Sequence, residues 1–119
     1  MATLKTQTTA LINAIHKAKQ AEAKPLQALL DLGPLITDAA ELKKVGDAIQ
    51  AGLIAKGWAE GSANAQRSKS KRILGTMSAT DKKMVEGHGI ANREQGTQLV
   101  HELATEATNI SDLYNACRS

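Results

Sequence analysis

A chain of 119 residues is the length of one domain, with room for a single hydrophobic core. Its apolar share of 42% is built from 20 alanines with leucine, isoleucine and valine, beside one tryptophan, one tyrosine and no phenylalanine, which withholds most of what a sheet needs. The formal charge of +3 is mild, no stretch sustains a period of two, and an all-α fold of closely packed helices is expected.

The first nine residues are polar and lack the apolar core of a signal peptide, and no apolar run approaches the ~20 residues of a membrane span. A cytoplasmic protein with no membrane partner is the expectation. From Thr3 to Ala23, Leu4, Thr8, Leu11, Ile12, Ile15, Ala18 and Glu22 fall at helical spacing and predict a first helix. Lys24-Pro25 ends it, and Pro25 suits the first position of a short apolar helix that carries Leu26, Leu29, Leu30 and Leu32 and is stopped by Gly33-Pro34.

Asp38 followed by Glu41 has the form of a capping box and opens a helix to about Lys56, with Leu42, Val45, Ile49 and Leu53 inward and Gly57 as its stop. Ser62 is placed to cap a helix running to Leu74 that Gly75 closes. Ser78 with Asp81 repeats the capping pattern and predicts a helix from Ala79 to about Glu86, after which Gly87-His88-Gly89 forms a hinge. A long last helix is predicted from Ile90 to Cys117, with Leu99, Leu103, Ala107, Ile110, Tyr114 and Cys117 inward. The whole reads as one helical domain over residues 1–119, a compact bundle of five or six helices with a short basic helix and a long carboxyl-terminal one. With so few large aromatics its stability should be modest, and a homo-oligomer is one remedy.

Cys117 is the single cysteine, so no intrachain disulfide forms and a reducing compartment is the expectation. Charge is unevenly spread: the balance is +1 over residues 1–60, +4 over 61–86 and −2 over 87–119. The helix from Ser62 to Leu74 holds Arg67, Lys69, Lys71 and Arg72 with no acid, Asn64, Gln66, Ser68 and Ser70 lie between them, and Lys82 and Lys83 follow. Its inward positions, Ala63, Gln66, Ser70, Ile73 and Leu74, supply apolar area only in the last turn, so burial gives this helix little reason to exist. Such a surface suits phosphates, where cations release counterions and Arg, Asn or Gln reach base edges. A solvated polar face on a helix held by its neighbours fits the same pattern.

Trp58, in the glycine-flanked turn before that helix, has two readings. It plugs the junction with its indole N–H bonded to a carbonyl, or it is an exposed anchor for a partner or a base.

The run Ala55-Lys56-Gly57-Trp58-Ala59-Glu60-Gly61-Ser62-Ala63-Asn64, through Lys69, Lys71 and Arg72, resembles the turn and recognition helix of helix-turn-helix domains of the sigma-factor and LuxR-like kind. In that family a glycine closes the first helix, a bulky apolar residue fills the turn and a small hydroxyl residue begins the second helix, the places of Gly57, Trp58 and Ser62. The chain departs from the pattern at Lys56 and Gln66, where the family has apolar residues, and in the length of the preceding helix. The resemblance implies that Asn64, Gln66, Arg67 and Lys71 face DNA.

His16, His88 and His101 lie far apart with no ligand spacing between them, and no phosphate loop, nucleophile elbow or triad spacing occurs. Neither an enzyme, a metal site nor a cofactor is expected. Two functions remain. One is a small nucleic-acid-binding regulator or accessory protein, most simply DNA-binding, that uses Trp58, Asn64, Gln66, Arg67, Lys69, Lys71, Arg72, Lys82 and Lys83. The other is a protein-interaction module, an adaptor or inhibitor of the kind mobile genetic elements such as phages carry, that sets the same cations on an acidic partner surface.

Overall fold

In the computed structural model, which describes residues 3–18 and 24–118, most helices start where a short polar side chain accepts a hydrogen bond from an otherwise unpaired first-turn amide. Thr3 caps α1 (Leu4–His16), and α2 (Pro25–Leu32) begins on Pro25 and runs into a single 3₁₀ turn at Gly33–Leu35. Asp38 caps α3 (Ala39–Ala55), whereas α4 (Glu60–Ser78), the longest helix, has no capping side chain. Asp81 caps α5 (Lys82–His88), Asn92 caps α6 (Arg93–Ala104), and Asn109 accepts from the Asp112 amide to open α7 (Ile110–Arg118). The described residues thus form seven α-helices and no strand, all-α as expected but with more helices than five or six.

The differences have local causes. The first helix ends at His16, and the rest of its expected length, residues 19–23, lies outside the described residues. The basic helix starts at Glu60, not on a Ser62 cap, and passes straight through Gly75. Gly75 serves contact here: a Cβ on it would lie 2.5 Å from Asp81 Cβ and 3.1 Å from a Leu42 methyl. The stop is Ala79, held left-handed at φ 56°, with its own amide and that of Thr80 returning to the carbonyls of Thr76 and Gly75. Ser78 remains inside α4, bonded to the Leu74 carbonyl, so α5 starts on Asp81, later than expected. The long final helix is two helices. Thr108 bonds Asp112 through both amide and hydroxyl while Asn109 caps, and this local bonding starts a new helix in place of continuing the old one.

Helix α4 is the axis of the molecule. From Ile73 to Ser78 it is buried on every side; Leu29 and Leu32, Ile49 and Leu53, Val100, and Ile110 and Leu113 come from the helices packed on it, and Leu11 and Ile15 of α1 join the same core through α2 and α3. Burial is therefore a strong reason for this helix, contrary to the sequence reading, because the buried stretch that starts at Ile73 and Leu74 continues past the predicted end through Ser78. Helix α3 lies antiparallel along it: Leu42 meets Gly75, and Gly46 meets Arg67 and Lys71. Across the other side, α6 crosses so closely that a Cβ at Gly96 would stand 2.1 Å from the Thr76 carbonyl oxygen. Arg93, one turn earlier, donates from Nη2 to the carbonyls of Pro34 at 3.0 Å and Ile36 at 2.6 Å, tying α6 to the end of α2. No helix among the described residues is long and apolar enough to cross a membrane.

Candidate functional site

Helical spacing divides the polar residues of α4 among three surfaces. Ala63, Ser70, Ile73, Leu74 and Met77 face the core, which leaves Arg67 and Lys71 along the seam with α3. There Arg67 Nη2 lies 3.3 Å from Asp47 Oδ1, and its side chain is only 24% exposed. Lys69 points to the opposite flank, where Nζ donates to Ser111 Oγ on α7 at 2.9 Å. Arg72 Nη1 donates to both carboxylate oxygens of Asp81, at 2.8 and 3.2 Å. Asn64 and Ser68 are exposed on the remaining face, and Lys82 and Lys83 are exposed in the first turn of α5.

These pairs organise the cations more than they neutralise them. Asp47 is half exposed, and a hydrogen bond from Lys43, with the charges of Lys43 and Arg67, holds its carboxyl below the ordinary value. The Arg67–Asp47 pair is solvent-screened, so an incoming anion competes with it readily, whereas the Arg72–Asp81 pair, its carboxylate largely buried, holds Arg72 in place.

Two clefts open beside the outer edge of α4. One, of about 350 Å³, is lined by Arg72, Lys83, His88, Tyr114, Cys117 and Arg118 among others. The other, of about 360 Å³, is lined by Arg67, Ser68, Lys71, Arg72, Asp81 and Tyr114. Arg72 and Tyr114 belong to both. Around this double cleft, three helices bring Arg67, Lys71, Arg72, Lys83 and Arg118 together, with Asp81 the one carboxylate in either lining among the described residues. The Arg118 guanidinium lies 5.6 Å from the centre of the Tyr114 ring. His88 Nε2 is hydrogen-bonded to the Cys117 carbonyl, which joins the end of α5 to α7. Burial pushes the Cys117 thiol up to about 11, so at neutral pH it is neither charged nor a ready nucleophile. The lining offers cations, hydroxyls and one aromatic ring: groups that bind anions and planar rings.

The expected site residues are only partly gathered here. Arg67, Lys71, Arg72 and Lys83 share the double cleft. Trp58 and Gln66 line a separate cleft of about 140 Å³ with Ile15, Pro25, Asn109 and Ile110. Trp58 is a half-buried plug at the end of α3, its indole N–H donating to His16 Nδ1 at 3.0 Å, an imidazole in place of the carbonyl expected. Its amide returns to the Leu53 carbonyl while Gly57, at φ 96°, makes the turn that only glycine takes without strain. Gln66 therefore does not share a surface with Lys71, and Asn64 lies outside all these linings. Sequence reasoning missed Tyr114 and Arg118 as site residues. Tyr114 sits at core spacing on α7, and the usable signal was its i,i+4 relation to Arg118.

Among the described residues, no three His, Cys, Asp or Glu side chains are placed to hold a metal ion. Compared with protein-family models, curated proteins and solved structures, the chain matches none.

Proposed function

We propose that this chain is a non-enzymatic nucleic-acid-binding protein, a small regulator or accessory factor, that receives phosphates along the double cleft. The observation that carries the reading is the convergence of Arg67, Lys71, Arg72, Lys83 and Arg118 from α4, α5 and α7, five cations against the two carboxylates Asp47 and Asp81 that pair with them. Cations on one surface act together, because each phosphate they neutralise releases condensed counterions. Arg72 and Arg67 are pre-positioned by Asp81 and Asp47, and Lys82 adds an exposed charge next to Lys83. Asn64, beyond the cleft, and Trp58, Gln66 and Lys69, on the far flank, would touch only a strand that continues around α4.

A second reading, docking on an acidic protein surface, draws on Ile54. It is a large apolar side chain 42% exposed just before the Trp58 turn, an anchor for a protein partner of an adaptor or inhibitor. A nuclease-treated pull-down separates the two. The nucleic-acid reading expects the bound material to be lost on nuclease treatment and binding to vanish in Lys71→Glu with Lys83→Glu. A stoichiometric protein retained after nuclease, and released by the same pair of changes, gives the second reading instead.

A further inference from the structure

We infer that the double cleft accepts unpaired nucleotides, so that the protein binds single-stranded nucleic acid in preference to duplex, with Tyr114 as the stacking platform. The inference rests on the nucleic-acid reading and adds to it the form of the ligand.

Three observations point this way. The first is the shape of α4's surroundings. Arg67 is bonded to Asp47 on α3 and Lys69 to Ser111 on α7, so α4 is flanked on both sides and does not project. A B-DNA major groove about 12 Å wide takes one helix of about 10–12 Å diameter, not a helix held between two neighbours at about 8–10 Å spacing. Inserting α4 into a duplex groove would require its neighbours α3 and α7 to enter with it.

The second is that the cations line concave spaces. Volumes of about 350 and 360 Å³ reach the lower end of small-ligand sites. Bases stacked inside a duplex enter such a space only after flipping out, which costs unstacking and unpairing. An unpaired base carries no such cost.

The third is Tyr114 itself. Tyr114, partly buried against the core, lines both clefts, so it stands where two successive nucleotides would meet, with Arg72 shared beside it. The Arg118 guanidinium lies over the ring, 5.6 Å from its centre, and as a planar group it extends the ring into a stack that a splayed base would join or enter. Alternating cations with a stacking ring suits a sugar-phosphate chain whose bases turn inward. A duplex that meets only the rim cations gains nothing from the ring.

The test is fluorescence anisotropy on the full chain with a labelled mixed-sequence DNA strand and with the duplex made from it, at one salt concentration. The single strand should bind more tightly. Tyr114→Leu, which keeps apolar bulk, should weaken the strand about 5- to 100-fold, and Tyr114→Phe should restore it, while duplex binding stays unchanged in both. Far-UV circular dichroism and the thermal midpoint check that each variant is folded. If Tyr114→Leu unfolds, Arg118→Ala serves in its place, with the same selective loss for the strand expected. Equal or tighter duplex binding, or a folded Tyr114→Leu that binds the strand as before, overturns the inference while the nucleic-acid reading stands. No binding to either form overturns that reading as well.

Discussion

Ser70 shows how one side chain can be a local cost in a helix that works. It is fully buried on the inner line of α4, and its hydroxyl has no hydrogen-bond partner among the described residues. Alanine there removes an unpaired polar atom and is the better helix former, so Ser70→Ala should raise stability by about 1 kcal/mol, read by urea titration, with ligand binding unchanged. A loss of stability would mean the hydroxyl is bonded. Glu41 and Asp112 are the opposite case. Thr37 and Thr108 each donate a side-chain and a backbone hydrogen bond to these carboxylates, which lowers both below their ordinary values. A carboxyl depressed by folding contributes stability that is present above its unfolded value and disappears as pH falls through the folded one. The thermal midpoint should therefore drop between about pH 5 and about pH 2, and Glu41→Gln should flatten part of that drop. At this scale Asp38 and Pro25 were legible, since capping and φ restriction act within one turn. Tyr114 was not, because its spacing places it beside the core and only the meeting of α4, α5 and α7 reveals a cleft there.

For the elements, glycine was the misleading letter. Gly57 does end α3, but Gly75 lies inside α4 because Asp81 and Leu42 pack onto it, and the left-handed stop falls on Ala79. A residue needed for close approach and one needed for a turn look alike in sequence. The break between α6 and α7 was hidden for another reason: Thr108 and Asn109 make it with side-chain bonds and no glycine or proline. Gly96 and Gly61 separate a glycine needed for close approach from one with open space around it. A methyl at Gly96 would meet backbone carbonyls of Thr76 and Met77, at 2.1 and 3.1 Å, whereas one at Gly61 meets nothing within 4 Å. Gly96→Ala should cost about 2 kcal/mol or more, while Gly61→Ala should gain about 0.5–1 kcal/mol from helix propensity, both read from denaturant midpoints. Equal effects would contradict the close crossing of α6 over α4.

On the scale of the whole molecule, the radius of gyration of 13.1 Å is close to the roughly 13.5 Å of a compact chain this long. That compactness sorts the charge. Composition alone showed that residues 61–86 are basic, and that much survives, but helix packing turns Lys69 to one flank, sets Arg67 and Lys71 along another, and brings Arg118 in from α7. The central claim is that these cations form one phosphate-binding surface, and the salt dependence of binding tests it most directly. For the labelled single strand, the logarithm of affinity should fall linearly with the logarithm of salt, with a slope of about −2 to −4, and Lys71→Glu with Lys83→Glu should reduce its magnitude by about 2. A slope near zero, or one that the double variant leaves unchanged, would contradict it.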